Sequence, residues 1–299
     1  MVLGDAGGPG GGARPAGGQA IYDAHVHLYS EDRARYPMVP GRERPLEPSA
    51  SAEALIREMD AAGVAHALLV QTPWLGEDNR YLVESMHRHP GRFAAIGWLE
   101  DPLARGAPER LRRMYDEDGF RGVRLHLNDE RVHAGVLAGA ADPVFQWARV
   151  VGVPVQLLQR VAQHPAIVRV ADRFRDVRVV VDHLGHPDVS EAPEYRSSGA
   201  FFSLAERPNV YVKVSMHNVH SREGYPWADL HGYQQRVFDA FGPRRLMWGS
   251  NWPMAVPQAG YREGLDAVRE HLPVFAALSS DERAWVLGGT AQELWPVKW

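Results

Sequence analysis

The sequence has no cysteine among its 299 residues. A disulfide framework, thiolate ligation of a metal and a cysteine nucleophile are therefore excluded. Long apolar runs are also missing. No stretch approaches the roughly 18 to 20 residues that span a bilayer, and the first residues lack the apolar core of a secretory signal. We therefore expect a soluble cytoplasmic protein with no membrane partner.

A strong excess of one charge is absent as well. The formal net charge is -4, which gives no basic surface for nucleic acid or an anionic membrane. The contents of 45% hydrophobic and 23% charged residues are typical of a globular protein with a sizeable core. The expected partner is a small-molecule substrate, and the sequence leaves open whether the chain forms a homo-oligomer.

Glycine, alanine and proline dominate residues 1–20, which we predict to be a flexible tail, and residues 21–299 are predicted to form one domain. In that domain, β-rich apolar runs alternate with stretches of helical periodicity. The predicted strands are 21–27, 64–71, 93–99, 120–127, 153–159, 177–183, 210–215 and 245–250. Eight such units predict an α/β fold, a single (β/α)8 TIM barrel. A doubly wound sheet would usually have a glycine-rich loop after its first strand, where this chain has histidines.

Two histidines at the end of the first predicted strand are the strongest local signal. They lie in the segment Asp23-Ala-His25-Val-His27. The period-two alternation of a strand puts His25 and His27 on one face, where both rings can converge on one cation or one substrate group. An isolated histidine on a strand is more often structural. The position of this pair in the first strand of a predicted barrel is what favours a functional role.

Polar residues also end strands six and eight. Asp182-His183 follows a run of valines, and Asn251 follows Met247-Trp248-Gly249-Ser250. Barrel enzymes place their chemistry at the carboxyl ends of the strands, so His183 and Asn251 are expected beside the first two histidines. The alternative is that Asp182 and His183 only make hydrogen bonds around a tight turn.

Further candidates for substrate binding alternate along strands four and seven or lie at the rim. Arg124 could pair a substrate carboxylate bidentately, and His126 could bond a carbonyl or leaving oxygen. A buried structural ion pair is the alternative for Arg124, and Lys213 could equally be a structural cation. The remaining candidates are Gln71, Trp74, Ser215, His217 and His220.

With these motifs the chain resembles the lactonase-type branch of the amidohydrolase superfamily, which includes 2-pyrone-4,6-dicarboxylate lactonase and sugar lactonases. The resemblance covers Ile21 to Trp295. Besides the D-x-H-x-H opening and the strand-eight segment, it rests on Asn79-Arg80-Tyr81, Gly122-Val123-Arg124, Asp182-His183-Leu184-Gly185, Val212-Lys213-Val214-Ser215 and Leu287-Gly288-Gly289-Thr290-Ala291. It implies a hydrolase that opens a small cyclic ester or amide by water attack, with His25, His27, His183 and the strand-eight residue as the catalytic centre.

One departure from this family concerns strand eight. The family motif is G-S-D-W-P, in which the aspartate is the general base, whereas this chain has Asn251. An amide cannot accept a proton at neutral pH. The chain is therefore either an inactivated variant of an active enzyme, or a member that uses another base or does not hydrolyse. Two further alternatives are a metal-dependent non-oxidative decarboxylase and a non-catalytic ligand-binding barrel.

A second departure concerns strand five. Many metal-dependent relatives have a histidine there, whereas this chain has Gln156 and Gln159. His25, His27 and His183 remain, and three protein ligands with a water suffice for zinc. The branch also contains metal-free members, so the resemblance leaves open whether the chain binds one divalent ion, zinc or manganese. The substrate could be anionic.

Overall fold

A computed structural model describes residues 20–45, 49–254 and 259–297. The predicted tail lies outside the described residues, apart from residue 20. No helix in the described ranges is long and apolar enough to cross a membrane.

Eight parallel strands form one sheet in the order of the chain, as the sequence predicts. Each strand lies inside its predicted run and is shorter than it. The strands are β1 (Ile21–Val26), β2 (Val64–Val70), β3 (Phe93–Trp98), β4 (Val123–His126), β5 (Val155–Leu158), β6 (Val179–Val181), β7 (Val210–Val214) and β8 (Leu246–Trp248). This order, with helices between the strands, confirms the (β/α)8 barrel.

Helices alternate with these strands. They are α1 (Ala52–Ala62), α2 (Arg80–Arg88), α3 (Ala107–Asp116), α4 (Glu130–Ala138), α5 (Asp142–Val151), α6 (His164–Arg173), α7 (Gly199–Ser203), α8 (His217–His220), α9 (His231–Phe241), α10 (Tyr261–Arg269), α11 (Pro273–Ala277), α12 (Ser280–Ala284) and α13 (Thr290–Leu294). A π-helical turn at Trp285–Gly289 precedes the last of them.

Local sequence explains where helix α1 begins and ends. The Ser51 side chain accepts a hydrogen bond from the Ala54 backbone N–H at 3.2 Å, which caps the first turn. Gly63 ends the helix in the left-handed region at φ 73°, which a residue without a Cβ adopts at low cost. Leu55 and Met59 lie on the buried face of this helix, as their spacing predicts.

The barrel closes through the segment that follows β8. The Asn251 backbone N–H donates to the His25 carbonyl at 2.9 Å, and the His27 N–H donates to the Trp252 carbonyl at 2.8 Å. A Cβ on Gly249 would lie 2.9 Å from the His25 Cβ and 3.2 Å from the His25 backbone nitrogen. The absence of a side chain at Gly249 therefore lets the end of β8 approach β1 at His25.

We predict that Gly249→Ala destabilises the barrel by about 1–3 kcal/mol, the usual cost of an added methyl in a tightly packed place. The added Cβ has to push apart two backbones, one of which carries His25. Urea unfolding measures the effect. Gly264→Ala is the matched control, because a Cβ there meets nothing within 4 Å in helix α10, so the variant should be as stable as the parent or slightly more stable. Equal stabilities of all three proteins would contradict this account of the closure.

Candidate active site

A cavity of about 810 Å³ opens at the carboxyl-terminal ends of the strands. Its wall contains residues that follow strands from several sides of the barrel. The predicted site residues that line it are His27, Trp74, Arg124, His126, His183, His220 and Asn251. The barrel therefore brings together, at one end, residues that are far apart in the sequence.

His25 and His27 converge as their spacing predicts. Their Nε2 atoms are 3.2 Å apart. The His27 Nδ1 lies 2.8 Å from the Val70 carbonyl oxygen, and because a carbonyl only accepts, this nitrogen carries the proton. The Nε2 of neutral His27 is then an acceptor that faces His25. His25 is fully buried and lies just beneath the residues that line the cavity.

Asp182 and Arg124 form a buried ion pair beside these histidines. The Arg124 Nε and Nη2 atoms lie 2.9 and 2.8 Å from the same Asp182 oxygen, Oδ2. Burial alone would raise the pKa of Asp182, but Arg124, His183 and His25 outweigh this effect and hold the pKa well below its usual range. Arg124 lines the cavity, yet this edge of its guanidinium is already engaged by the protein. Its contact with a substrate carboxylate stays a prediction.

Lys213 is a second buried cation near this pair. Its Nζ lies 3.3 Å from His25 Nδ1 and 3.9 Å from Asp182 Oδ1, and it donates to the Gln156 side-chain oxygen. Burial, partly offset by Asp182, lowers the pKa of Lys213 to about 7. With Lys213 donating to His25 Nδ1, the Nε2–H of His25 can donate to His27. A continuous chain of hydrogen bonds then runs from Lys213 to the Val70 carbonyl.

The three predicted catalytic histidines are neutral near pH 7. Burial, with the charge of Lys213, lowers the pKa of His25 well below its usual range. Burial, with the charge of Arg124, lowers the pKa of His27 to about 3. Burial also lowers the pKa of His183, despite the opposing charge of Asp182. Each imidazole therefore keeps a lone pair that can accept a hydrogen bond or bind a metal.

His183 and Asn251 both adopt the left-handed backbone conformation, with φ values of 53° and 56°. The His183 Nδ1 lies 2.8 Å from the Ser215 hydroxyl, and its ring centroid is 4.6 Å from that of His25. The side chain of Asn251 lines the cavity. Asparagine tolerates a positive φ better than most residues, and aspartate shares that property.

Other predicted substrate-binding residues lie away from the cavity wall. Gln71 is buried, and its side chain bonds to the Asp78 carbonyl, the Asn79 side chain and the Thr72 N–H. His217 is buried and stacks on Trp227, with ring centroids 5.7 Å apart. Lys213 and Ser215 are fully buried and act on His25 and His183 from behind. For these four residues a direct substrate contact stays a prediction without support from their positions.

The sequence patterns do not identify several residues of this region as site residues. Asp182 is one of them, although it stands directly before His183, and an adjacent aspartate and histidine are a usable signal. His186, Arg44, Arg160 and Met254 also line the cavity. They lie in connecting segments whose course no periodicity predicts.

One donor group among the described residues could hold a metal ion. The ligand atoms of His25, Asp182 and His183 lie within 4.8 Å of one another. The predicted set had His27 in place of Asp182. The Oδ1 atom of Asp182 is buried and makes no short hydrogen bond in the described part of the chain. His25 Nδ1 lies 3.5 Å from it and Lys213 Nζ lies 3.9 Å from it. A carboxylate oxygen and neutral imidazoles are suitable ligands for zinc or manganese, so this donor set fits a divalent ion.

Comparisons with known proteins identify a family and several relatives of this chain. Residues 22–297 match the family model described as Amidohydrolase. An L-fucono-1,5-lactonase from Burkholderia multivorans is 29% identical over 285 residues, which cover 90% of this chain and 93% of that protein. A 2-pyrone-4,6-dicarboxylate hydrolase from Comamonas testosteroni is 27% identical over 259 residues, which cover 80% of this chain and 77% of that protein. A zinc-bound amidohydrolase structure from Burkholderia multivorans has a TM-score of 0.78 and 28% identity, and the match covers 93% of this chain and 100% of that one.

We predict that Arg124→Leu lowers the free energy of unfolding by about 3–5 kcal/mol, because it leaves the Asp182 carboxylate buried without its partner. The double variant Arg124→Leu/Asp182→Leu should recover part of this loss, since the unpaired carboxylate is gone and Lys213, whose pKa is already about 7, can become neutral. Urea unfolding of the two variants checks both statements. Arg42→Leu, which breaks an exposed pair with Glu100, should leave stability nearly unchanged. A fully stable Arg124→Leu protein with weakened substrate affinity would favour the predicted substrate contact instead.

Proposed function

The chain belongs to the amidohydrolase family, and from that premise we propose that it opens a small lactone by water attack. Two relatives that match most of the chain are named as a lactonase and a pyrone-dicarboxylate hydrolase. The observation that carries the proposal is the convergence of His25, His27, His183 and Asn251 at the carboxyl-terminal mouth of the barrel. A cavity of about 810 Å³ accommodates a small ring with its substituents.

In the proposed reaction, water adds to the acyl carbon, the ring C–O bond breaks, and the ring oxygen leaves as a hydroxyl. The water loses a proton and the leaving oxygen gains one. His183 and Arg124 line the cavity and could donate hydrogen bonds to the carbonyl oxygen as it becomes negative. The Asn251 amide can orient the water but cannot accept its proton. His27, with a pKa of about 3, is a weak base.

Because Asn251 cannot accept the water proton and His27 is a weak base, we propose that this protein turns its substrate over slowly. The missing component is a carboxylate at the end of β8, where the family's general base belongs. The histidines around that position are neutral and partly engaged with one another and with Val70, Ser215 and Lys213. These histidines are better suited to polarise and position the groups of the substrate than to remove a proton from the attacking water.

We also propose that His25, Asp182 and His183, with His27 next to them, hold one divalent metal ion. When bound, such an ion acts as a Lewis acid toward the substrate carbonyl and lowers the pKa of a bound water. The buried Oδ1 of Asp182, which makes no short hydrogen bond among the described residues, supports this proposal. The ammonium group of Lys213, close to His25 and Asp182, opposes it, because a cation already compensates the same carboxylate.

For the metal, we expect the purified protein to bind one zinc ion per chain in calorimetric titration and elemental analysis. His183→Gln should weaken this affinity by more than the roughly 10- to 100-fold that loss of an outer partner costs. His126→Gln is the control, because His126 lines the cavity but lies outside the donor group. His27→Gln separates the predicted ligand set from the donor group His25, Asp182 and His183, since it should weaken zinc as much as His183→Gln does only if His27 is itself a ligand. No stoichiometric binding by the parent protein would end the metal proposal.

For hydrolysis, we predict that Asn251→Asp raises turnover by roughly 10²- to 10⁴-fold, the usual contribution of a positioned general base. Aspartate has the shape of asparagine and accepts the positive φ of this position, so the fold should tolerate it. Substrate affinity should change much less than turnover. Both proteins are assayed against lactones and cyclic amides at several pH values, with metal content measured in each.

Asn128→Asp is the matched control, because it adds a carboxylate to the same cavity wall at the end of β4. It should not raise turnover. Equal gains in turnover from both substitutions would mean that negative charge alone matters, whatever its position. No gain in turnover from Asn251→Asp, on a substrate that binds, would end the general-base assignment. Release of carbon dioxide would identify a decarboxylase. Retention of ligand without turnover in every variant would identify a binding protein.

A further inference from the structure

The turn that follows β6 has a strained backbone. Residues 183–186 are four successive residues in the left-handed region, with φ values of 53°, 55°, 75° and 57°. Three of them, His183, Leu184 and His186, are not glycine. In the left-handed conformation the Cβ of an L-residue crowds the following carbonyl oxygen, so such residues usually adopt it singly and not in runs. The local sequence does not favour this turn, and other parts of the barrel have to hold it.

This backbone conformation decides where Asp182 and His183 point. Successive side chains of an extended strand lie on opposite faces. Asp182 is still extended, with φ -73° and ψ 147°, yet its carboxylate and the His183 ring belong to one group with His25, in which the polar atoms lie within 4.8 Å of one another. The change from extended to left-handed backbone at His183 lets two neighbouring side chains reach the same centre.

Three side chains from other elements hold the backbone of this turn. The carbonyl oxygens of residues 182, 183 and 184 are bonded, in that order, to Gln159 Nε2 at 3.0 Å, His220 Nε2 at 3.1 Å and the Tyr233 hydroxyl at 3.0 Å. Because a carbonyl only accepts, the His220 Nε2 carries the proton. The three donors lie after β5, in helix α8 and in helix α9. Successive carbonyls of one strained turn thus have a side-chain donor each.

The turn and two of its donors are shielded from water. Gln159, Tyr233 and Leu184 are fully buried. The Tyr233 ring packs on that of Phe201, with centroids 6.1 Å apart, and a Cβ on Gly185 would lie 2.6 Å from the same Phe201 ring. The turn therefore lies directly against this aromatic cluster. Loss of a donor here leaves a buried carbonyl unpaired, since water does not replace it, and removes a restraint on the turn.

We propose that Gln159, His220 and Tyr233 are positioning residues, which hold the left-handed turn and thereby keep the His183 imidazole in one place at the cavity. Ser215 orients the ring itself, whereas the three donors fix the backbone that carries it. This inference rests on the proposed lactone hydrolysis, in which His183 polarises the substrate carbonyl, and it names residues that act on this step through the backbone. Without one of these bonds, the His183 ring samples more than one position.

The first measurement needs no substrate. The imidazole signals of His183 are followed by NMR of the full chain with 15N-labelled histidine, and they are assigned by their absence in His183→Gln. The parent should give one sharp set, and His220→Leu should broaden or double it. His220→Gln keeps an N–H donor and should restore the single set, and since both variants lack the His220 ring, its loss does not separate them. Tyr233→Phe and Gln159→Leu should resemble His220→Leu.

The second measurement is turnover of five- and six-membered lactones by the Asn251→Asp protein. In that background, His220→Leu and Tyr233→Phe should lower kcat by roughly 10- to 100-fold, as misplacement of a group in the site does. KM should stay within about twofold, since only the transition state loses an interaction. His220→Gln should recover most of the lost kcat.

His66→Leu is the matched control. The buried His66 also bonds a main-chain carbonyl, that of Gly91, with its Nδ1 at 2.8 Å, and Gly91 precedes β3 at the opposite end of the barrel from the site. This variant should lose stability in urea unfolding, as His220→Leu does, but it should keep kcat and the single set of His183 signals.

A single sharp set of His183 signals in His220→Leu and Tyr233→Phe overturns the inference. A doubled set with unchanged kcat overturns it as well, because the bonds would then only stabilise the fold, and so does an equal loss of kcat in His66→Leu. If none of these proteins opens a lactone, the proposed hydrolysis fails. The NMR comparison of His220→Leu with His220→Gln then still decides whether the donors position His183.

Discussion

The constraint on which this centre depends is a carboxylate kept away from water. Asp182 is fully buried, and a lone charge in such a place would be protonated or would destabilise the fold. Arg124 supplies the compensating charge from β4, and Lys213 lies near it on β7. Because these residues come from different strands, their charges balance only when the barrel has formed. The ion pair therefore links the stability of the barrel to the arrangement of its site.

The same charges control the protonation state of the three histidines. His25, His27 and His183 are close to Arg124 or Lys213 and are buried, and both effects oppose protonation. The carbonyl of Val70 then determines which nitrogen of His27 carries the proton. A neutral imidazole with a defined lone pair is suited to accept a hydrogen bond or to bind a metal, but it is poorly suited to remove a proton from water. The charge balance thus favours the positioning of groups in the proposed reaction over general-base catalysis.

The fold could be predicted from the sequence because buried parallel strands appear as continuous apolar runs between amphipathic helices. All eight strands lie within the predicted runs, which extend beyond them because the apolar pattern continues into the connections. The convergence of His25 and His27 could be predicted from their spacing of two residues. The pairing of Arg124 with Asp182 could not be predicted, since 58 residues separate them and either side chain could have faced a ligand. The position of Gln71 away from the cavity wall did not follow from the sequence either, because its bonds to Asp78 and Asn79 depend on how a loop folds. Arg44 and Arg160 lie in loops, where only three-dimensional structure identifies the cavity wall.

An amide at the end of β8 has a consequence for the whole cavity. The buried carboxylates Asp23 and Asp182 lie beneath the wall, and the described wall itself offers only neutral and positive groups. A carboxylate in place of Asn251 would supply a base. It would also bring the first negative charge into the described lining, weaken attraction for an anionic ligand and compete with Asp182 for nearby positive charge. The amide avoids this conflict because it keeps a hydrogen-bonding group of the same shape without the charge. Asn251 therefore keeps the described lining free of negative charge, at the expense of the proton transfer that the proposed hydrolysis requires.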